Sequence, residues 1–219
     1  MILKAIITAG GSSKRFGQKN KLMQKINGKE IIFYTVNAFL NVHEIDEIFI
    51  CANKLIINDL KRIFKGTKKI KIIEGGETRQ QSVYNGLNAI KNCEYVLIHD
   101  GARPMVTTDI IKKTISMVKD KKALTVVAKT IDTIKQVDEN LKIIKTIDRN
   151  SLYNTQTPQA FDYKLIKRAH EKLKGQDFTD DAGMLEYLGC DVYILEGDYK
   201  NIKITTQNDL EIVGLYLKY

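Results

Sequence analysis

Short apolar runs alternate along the chain with stretches whose apolar residues recur at helical spacing. Leu3, Ala5, Ile6 and Ile7 make the first run, which stops at Gly10-Gly11 and predicts a buried strand feeding a glycine loop. Ile31 to Leu40 then takes helical spacing. The alternation repeats as strand Ile45–Cys51, helix Leu55–Phe64, strand Ile70–Ile73, helix Gln80–Ile90 and strand Tyr95–Ile98. A helix capped by Thr107 or Thr108 runs to Lys119, and Leu124–Ala128 is a further strand. Parallel strands need crossovers, so strands separated by helices predict an α/β fold with a mostly parallel sheet.

The rhythm breaks after Ala128. Thr133–Val137 and Leu141–Ile147 flank the polar run Asp138-Glu139-Asn140, which reads as a hairpin. Its residues are only half apolar, so the hairpin is expected to protrude. An isolated hairpin is marginal in water, so an arm over about residues 132–154 is expected to mediate dimerisation. The α/β pattern then resumes with helices Tyr163–Leu173 and Asp180–Leu188 and strands Val192–Leu195 and Ile202–Ile204. Thr206 and Asp209 form a capping-box pattern that opens a last helix. No linker or repeat interrupts residues 1–219, which predicts one domain.

Composition narrows the functional classes. No run approaches the ~18 apolar residues of a membrane span, and the opening MILKAIITAGG is punctuated too early for a signal peptide. A cytoplasmic protein is the expectation. The formal net charge is +9, but the lysines are scattered and there is no tryptophan. That fits a solvated basic surface better than a nucleic-acid stripe interleaved with aromatics. Cys51, Cys93 and Cys190 are odd in number, far apart and without a CxxC pair, and His43, His99 and His170 complete no zinc pattern. Reduced structural thiols follow.

Five segments stand at or near the carboxyl ends of strands, where open α/β sheets bind ligands. Ala9-Gly10-Gly11-Ser12-Ser13-Lys14-Arg15-Phe16-Gly17 joins small residues, whose N–H groups approach an anion closely, to two cations. Lys21 follows within reach. The loop lacks P-loop spacing and the GxGxxG of a dinucleotide fold, which argues against an NAD-dependent oxidoreductase, and a plain strand–helix turn fits it equally. In Gly75-Gly76-Glu77-Thr78-Arg79-Gln80-Gln81-Ser82-Val83 the glycines permit contact with a base or ribose, and Ser82 can donate a hydrogen bond. In His99-Asp100-Gly101-Ala102-Arg103-Pro104, Asp100 suits Mg²⁺ and Arg103 suits a phosphate, although an Asp–Arg ion pair is the plainer reading. His99 reads as structural. Asp132-Thr133-Ile134-Lys135, Thr146-Ile147-Asp148-Arg149 and Thr155-Gln156-Thr157-Pro158-Gln159 are polar and turn-prone. Lys203, inside apolar Asn201-Ile202-Lys203-Ile204-Thr205, needs a partner or a ligand, or else an exposed edge.

In this order and spacing, the strings AGGSSKRFG, GGETRQQSV, HDGARP, DTIK with TIDRNSLYNTQTPQ, and NIKITTQNDL resemble the 2-C-methyl-D-erythritol 4-phosphate cytidylyltransferases of the non-mevalonate isoprenoid pathway. The resemblance spans Ala9 to Asp209. It implies a Rossmann-like nucleotidyltransferase, a homodimer held partly by the arm, and a reaction that uses Mg²⁺ and CTP. It assigns Ala9, Gly10, Gly11, Ser13 and Lys14 to a CTP loop and Gly76, Glu77, Ser82 and Ala102 to cytosine and ribose. Arg15 and Lys21 fall on the triphosphate and Asp100 on Mg²⁺. Arg103, Thr133, Thr146 and Lys203 fall on the sugar phosphate, with Thr146 from the other subunit's arm. The ribitol-5-phosphate cytidylyltransferases are similar, but more often carry HDSVRP, DTIV and TDAC where this chain has HDGARP, DTIK and Thr179-Asp180-Asp181-Ala182. Some members of the erythritol family carry an arginine shortly after TPQ-F. Here that place is Tyr163, with Lys164 and Arg168 as substitutes nearby.

Overall fold

A computed structural model describes residues 1–11 and 20–217. The first strand, β1 (Leu3–Ala9), lies at the middle of a seven-stranded sheet. It pairs in parallel with β4 (Glu47–Ala52) on one side and with β6 (Tyr95–Asp100) on the other. Strand β5 (Ile70–Glu74) extends the sheet beyond β4, again in parallel. Beyond β6 comes β10 (Tyr153–Asp162), which runs antiparallel to both β6 and β7 (Ala123–Lys129). Strand β11 (Tyr193–Glu196) closes that side, parallel to β7.

The period-2 alternation of the strands sends successive side chains to opposite faces. Leu3, Ala5 and Ile7 of β1 and Ile48 and Ile50 of β4 join one core, with α1 (Ile31–Leu40) and α4 (Thr108–Lys121) over them. Ile6, Phe49, Val96 and Ile98 join the other core. There α3 (Arg79–Ala89), α5 (Tyr163–Lys172) and α6 (Asp181–Tyr187) cover the sheet. Thr78, Thr107, Asp162 and Asp180 cap their helices by accepting backbone N–H groups, so Thr107, not Thr108, is the cap of α4. Thr206 and Asp209 complete the expected capping box on α7 (Gln207–Tyr216).

The expected α/β fold and mostly parallel sheet are therefore present, with four differences in detail. The predicted helix Leu55–Phe64 begins as a 3-10 turn (Lys54–Ile56), and only Ile57–Ile63 (α2) is α-helical. Ile202–Ile204 forms no strand. Its backbone is tied instead by Ile204 N–H donating to the Ala102 carbonyl at 2.9 Å. The segment Thr155–Gln159, read as a loop, is the interior of β10. Its polar residues are buried because the fold supplies partners: Gln159 Nε2 donates to Thr125 Oγ1 (2.9 Å) and Asp180 Oδ2 (2.7 Å). A small hairpin, β2 (Lys25–Ile26) with β3 (Lys29–Glu30), was also unforeseen. Asn27-Gly28 announces it, since both residues take positive φ (49° and 81°), as a two-residue type I′ turn requires.

The hairpin read at residues 133–147 is β8 (Ile134–Val137) paired with β9 (Ile143–Ile147), a two-stranded sheet separate from the main one. Asp138 Oδ1 accepts from Asn140 N and Lys142 N and so ties the turn. Leu141, Ile143 and Ile144 of this arm are exposed.

Candidate functional site

Three loops converge at the carboxyl ends of β1, β5 and β6. The loop after β1 approaches the loop after β5 so closely that a Cβ on Gly10 would lie 2.5 Å from Ser82 Oγ. Ser82 Oγ accepts from Gly76 N (3.0 Å) and donates to the Thr78 carbonyl (2.9 Å). Gly10, Gly76 and Ser82, named separately from sequence, thus stand together. Ala9 is buried against Asn53, whose N–H donates to its carbonyl. Glu77 is exposed, with its backbone N–H bonded to Gln81 Oε1. Ala102 is buried and acts through its carbonyl, which accepts from Ile204. Ser13, Lys14 and Arg15 lie outside the described residues.

Beside this junction is a cleft of about 380 Å³ lined on one side by Arg79, Asp100, Arg103 and Lys203. Residues Thr155–Thr157 of β10 and Thr179, Asp180, Gly183 and Glu186 complete its wall. Asp100, at the end of β6, is the hub. Its Oδ1 accepts from Arg79 Nε at 3.0 Å, its Oδ2 pairs with Lys203 Nζ at 2.9 Å, and Arg103 Nε stands 3.6 Å from Oδ2. Burial alone pushes this carboxyl upward, but Arg79, Lys203 and Arg103 outweigh it and hold the group well below the usual carboxylate range. Asp100 is therefore ionised at neutral pH.

The arginines are held from behind. Arg103 Nη1 donates to the Asn201 carbonyl at 2.7 Å. Asn201 is itself buried and donates to the Thr157 carbonyl (2.8 Å) and to Gln156 Oε1 (3.2 Å). Arg79 Nη2 and Arg103 Nε are buried donors without a hydrogen-bond acceptor. Such donors are costly to leave unmade, and here they belong to side chains that line a cleft.

His99 is structural, as expected. Thr157 Oγ1 accepts from Asp100 N (3.1 Å), so its proton is free to donate to His99 Nδ1 (2.9 Å), and His99 Nε2–H then donates to the Arg103 carbonyl (3.3 Å). Burial lowers its pKa to about 3, so the ring stays neutral. Lys21 sits in a 3-10 turn (Lys21–Met23), and its Nζ donates to the Ile204 carbonyl at 2.8 Å, next to Lys203. Thr133 and Thr146 do not line the cleft. Both are exposed on or beside the arm, where Thr146 Oγ1 accepts from Lys135 Nζ at 2.7 Å. Tyr163 is buried, its hydroxyl bonded to the Leu87 and Ile90 carbonyls, while Lys164 and Arg168 are exposed and do not line the cleft.

Sequence reasoning missed Arg79. It was read only as part of a loop entering a helix, and nothing local shows that its guanidinium bridges Asp100 and a second aspartate about a hundred residues away.

A family model described as IspD, 2-C-methyl-D-erythritol 4-phosphate cytidylyltransferase, matches residues 3–219. The chain belongs to that family. Among relatives, an enzyme of that name from Caldanaerobacter subterraneus subsp. tengcongensis is 42% identical over 226 residues, covering 100% of both chains. Another, from Clostridium perfringens, is 44% identical over 220 residues, with 98% of each chain covered. A crystal structure of 4-diphosphocytidyl-2C-methyl-D-erythritol synthase from Anaerococcus prevotii superposes with a TM-score of 0.90 at 35% identity, covering 100% of this chain and 99% of the other. These matches support the erythritol-phosphate family, not the ribitol-phosphate alternative. Among the described residues no helix is long and apolar enough to cross a membrane.

Proposed function

We propose that this chain transfers cytidylate from CTP to 2-C-methyl-D-erythritol 4-phosphate, releasing pyrophosphate, as a cytoplasmic homodimer using Mg²⁺. The observation that carries the reading is the convergence of Arg79, Arg103 and Lys203 on Asp100 in a cleft beside the Gly10–Gly76–Ser82 junction. A phosphate monoester is already a nucleophile, so no strong base is needed. Its oxygen attacks the α-phosphorus in line, the new O–P bond forms, and the bond to the β-phosphate oxygen breaks, with its electrons leaving on pyrophosphate. The obstacle is repulsion between two polyanions, and positioned cations answer it.

In this reading the glycine loop with Ser13, Lys14, Arg15 and Lys21 holds the triphosphate. Gly76, Glu77 and Ser82 hold the cytidine, and Arg103 and Lys203 hold the incoming phosphate. The Lys21 contact with Ile204, adjacent to Lys203, brings the two halves together. Among the described residues no cluster of three or more acidic, His or Cys side chains forms a metal cage. The single Asp100 carboxylate fits a Mg²⁺ held mainly by phosphate oxygens, as this ion prefers. Such an ion, when bound, neutralises phosphate charge. Thr133 and Thr146 complete the sugar-phosphate site, with Thr146 delivered from the neighbouring subunit by an arm that carries exposed Leu141, Ile143 and Ile144.

The test incubates the protein with CTP, MgCl₂ and either the erythritol phosphate or ribitol 5-phosphate, following pyrophosphate and the mass of the product. Turnover with the erythritol phosphate supports the reading; turnover with ribitol 5-phosphate alone replaces it. Lys203→Ala is expected to raise KM for the sugar phosphate about tenfold or more, within the cost of losing one charged hydrogen bond. An effect confined to CTP would remove Lys203 from that role.

A further inference from the structure

Behind Arg79 lies a second ion pair that the transfer reaction does not itself use. Asp181, the first residue of α6, is 1% exposed. Its Oδ2 accepts from Arg79 Nη1 at 2.7 Å and its Oδ1 from His170 Nε2 at 3.0 Å. Its backbone N–H donates to Gln159 Oε1 at 3.0 Å. His170, also buried, stacks on Tyr84 with ring centroids 6.3 Å apart and planes 14° from parallel. Asp181 is thus fixed by α5, by β10 and by Arg79 of α3, while Arg79 reaches forward to Asp100.

The arrangement is poorly explained by stability alone. Buried ionic sets are often matched or bettered by apolar packing of similar volume. What the set does supply is a single orientation for a long side chain that otherwise samples many rotamers. With Nη1 on Asp181 and Nε on Asp100, the guanidinium plane is determined, and Nη2 is the arm of the fork left without an acceptor. Asp100 Oδ1 is fixed by the same geometry.

We propose that Asp181, braced by His170, is a positioning residue for the transfer reaction: it orients Arg79, and Arg79 in turn fixes the Asp100 carboxylate on which Arg103 and Lys203 converge. The proposal rests on the reading of the cleft given above and adds to it a line of contact from α5 to Asp100.

A double-mutant cycle tests it, because residues acting through one another give non-additive losses and independent structural defects give additive ones. Asp181→Asn keeps the size of the side chain and an acceptor for His170 but removes the charge that holds Arg79. It is expected to lower kcat/KM for the sugar phosphate on the order of tenfold, the scale of a modest misplacement of a reacting group, with KM for CTP unchanged. Arg79→Lys keeps the charge but cannot bridge both aspartates, and is expected to lower kcat/KM further. In the Arg79→Lys background, Asp181→Asn should cost nothing more. Losses that multiply, or an Asp181→Asn enzyme with unchanged kcat/KM, overturn the proposal. Should Asp181→Asn fail to fold, the cycle is run with His170→Leu. His170→Gln, whose amide N–H replaces Nε2–H, should restore most of the activity lost, and failure to restore it counts against the brace. A wild-type protein that does not turn over CTP and the erythritol phosphate overturns the functional reading and the relay together, whereas active wild type with additive variants overturns the relay alone.

Discussion

At the cleft, Asp100 and Arg103 are buried and Arg79 half-buried, with nearly every polar atom committed to a partner, whereas on the β8–β9 arm Ile143, Ile144 and Leu141 stand in solvent. The usual division of polar outside and apolar inside is reversed in both places. A buried charge set has to be held by structure from several elements, and the cleft draws on β6, β10, α3, α6 and the 201–205 segment. The arm is held by its own ladder and by the Asp138 turn, and among the described residues its sheet joins no other. Inverted burial of the first kind fits the proposed role in holding charged ligands; exposed apolar residues of the second kind fit the proposed contact of the arm with a second subunit.

The largest test of this contrast is a pair of truncations. Phe161→Ala, in the fully buried half of β10, should cost about 3–5 kcal/mol in urea unfolding, as large core truncations do. Ile143→Ala on the arm should change the unfolding of dilute monomer by less than about 0.5 kcal/mol. In the proposed dimer it should instead weaken association, read by sedimentation. An arm truncation as costly as the core one would erase the distinction. Next, Lys21→Ala and Arg15→Ala should each lower kcat by about 10²–10³ with little change in unfolding midpoint, the range for losing one preorganised donor. Normal turnover would take both residues out of the reaction.

The smallest expected effect is an acid one. Burial by itself raises the Asp181 pKa, but Arg79 and His170 more than offset this and hold it below its ordinary value of 3.8. A carboxyl depressed in the folded state contributes stability that is fully present above its unfolded pKa and lost as pH falls through the folded one. The wild-type urea midpoint should therefore decline as pH drops below about 4, and Asp181→Asn should flatten that decline. An identical acid limb in the variant would contradict it.

Much of this contrast could be read from sequence. The arm was legible because two half-apolar runs flank Asp138-Glu139-Asn140, and the strands β1, β4 and β6 because they are short, apolar and bounded by loops. Asp100, Arg103 and Lys203 were legible as charges at strand ends or within apolar runs. Strand β10 was not, because Gln156, Thr157 and Gln159 have the composition of a turn, and only their partners Asp198, His99, Thr125 and Asp180 make their burial tolerable. Arg79 and Asp181 were missed for the same reason. Their pairing spans 102 positions, and no local pattern encodes a contact of that range.

The placement of β10 has a consequence for how the molecule is made. Among the described residues it is the one strand of the main sheet that runs against its neighbours, and it fills the gap between β6 and β7, both of which precede it in the chain. A nascent chain stopped short of Tyr153 carries two facing sheet edges with unsatisfied N–H and C=O groups, the kind of surface that invites pairing with foreign strands. Residues 153–162 follow the arm in the chain, so the place between β6 and β7 stays unfilled until after the arm has been made.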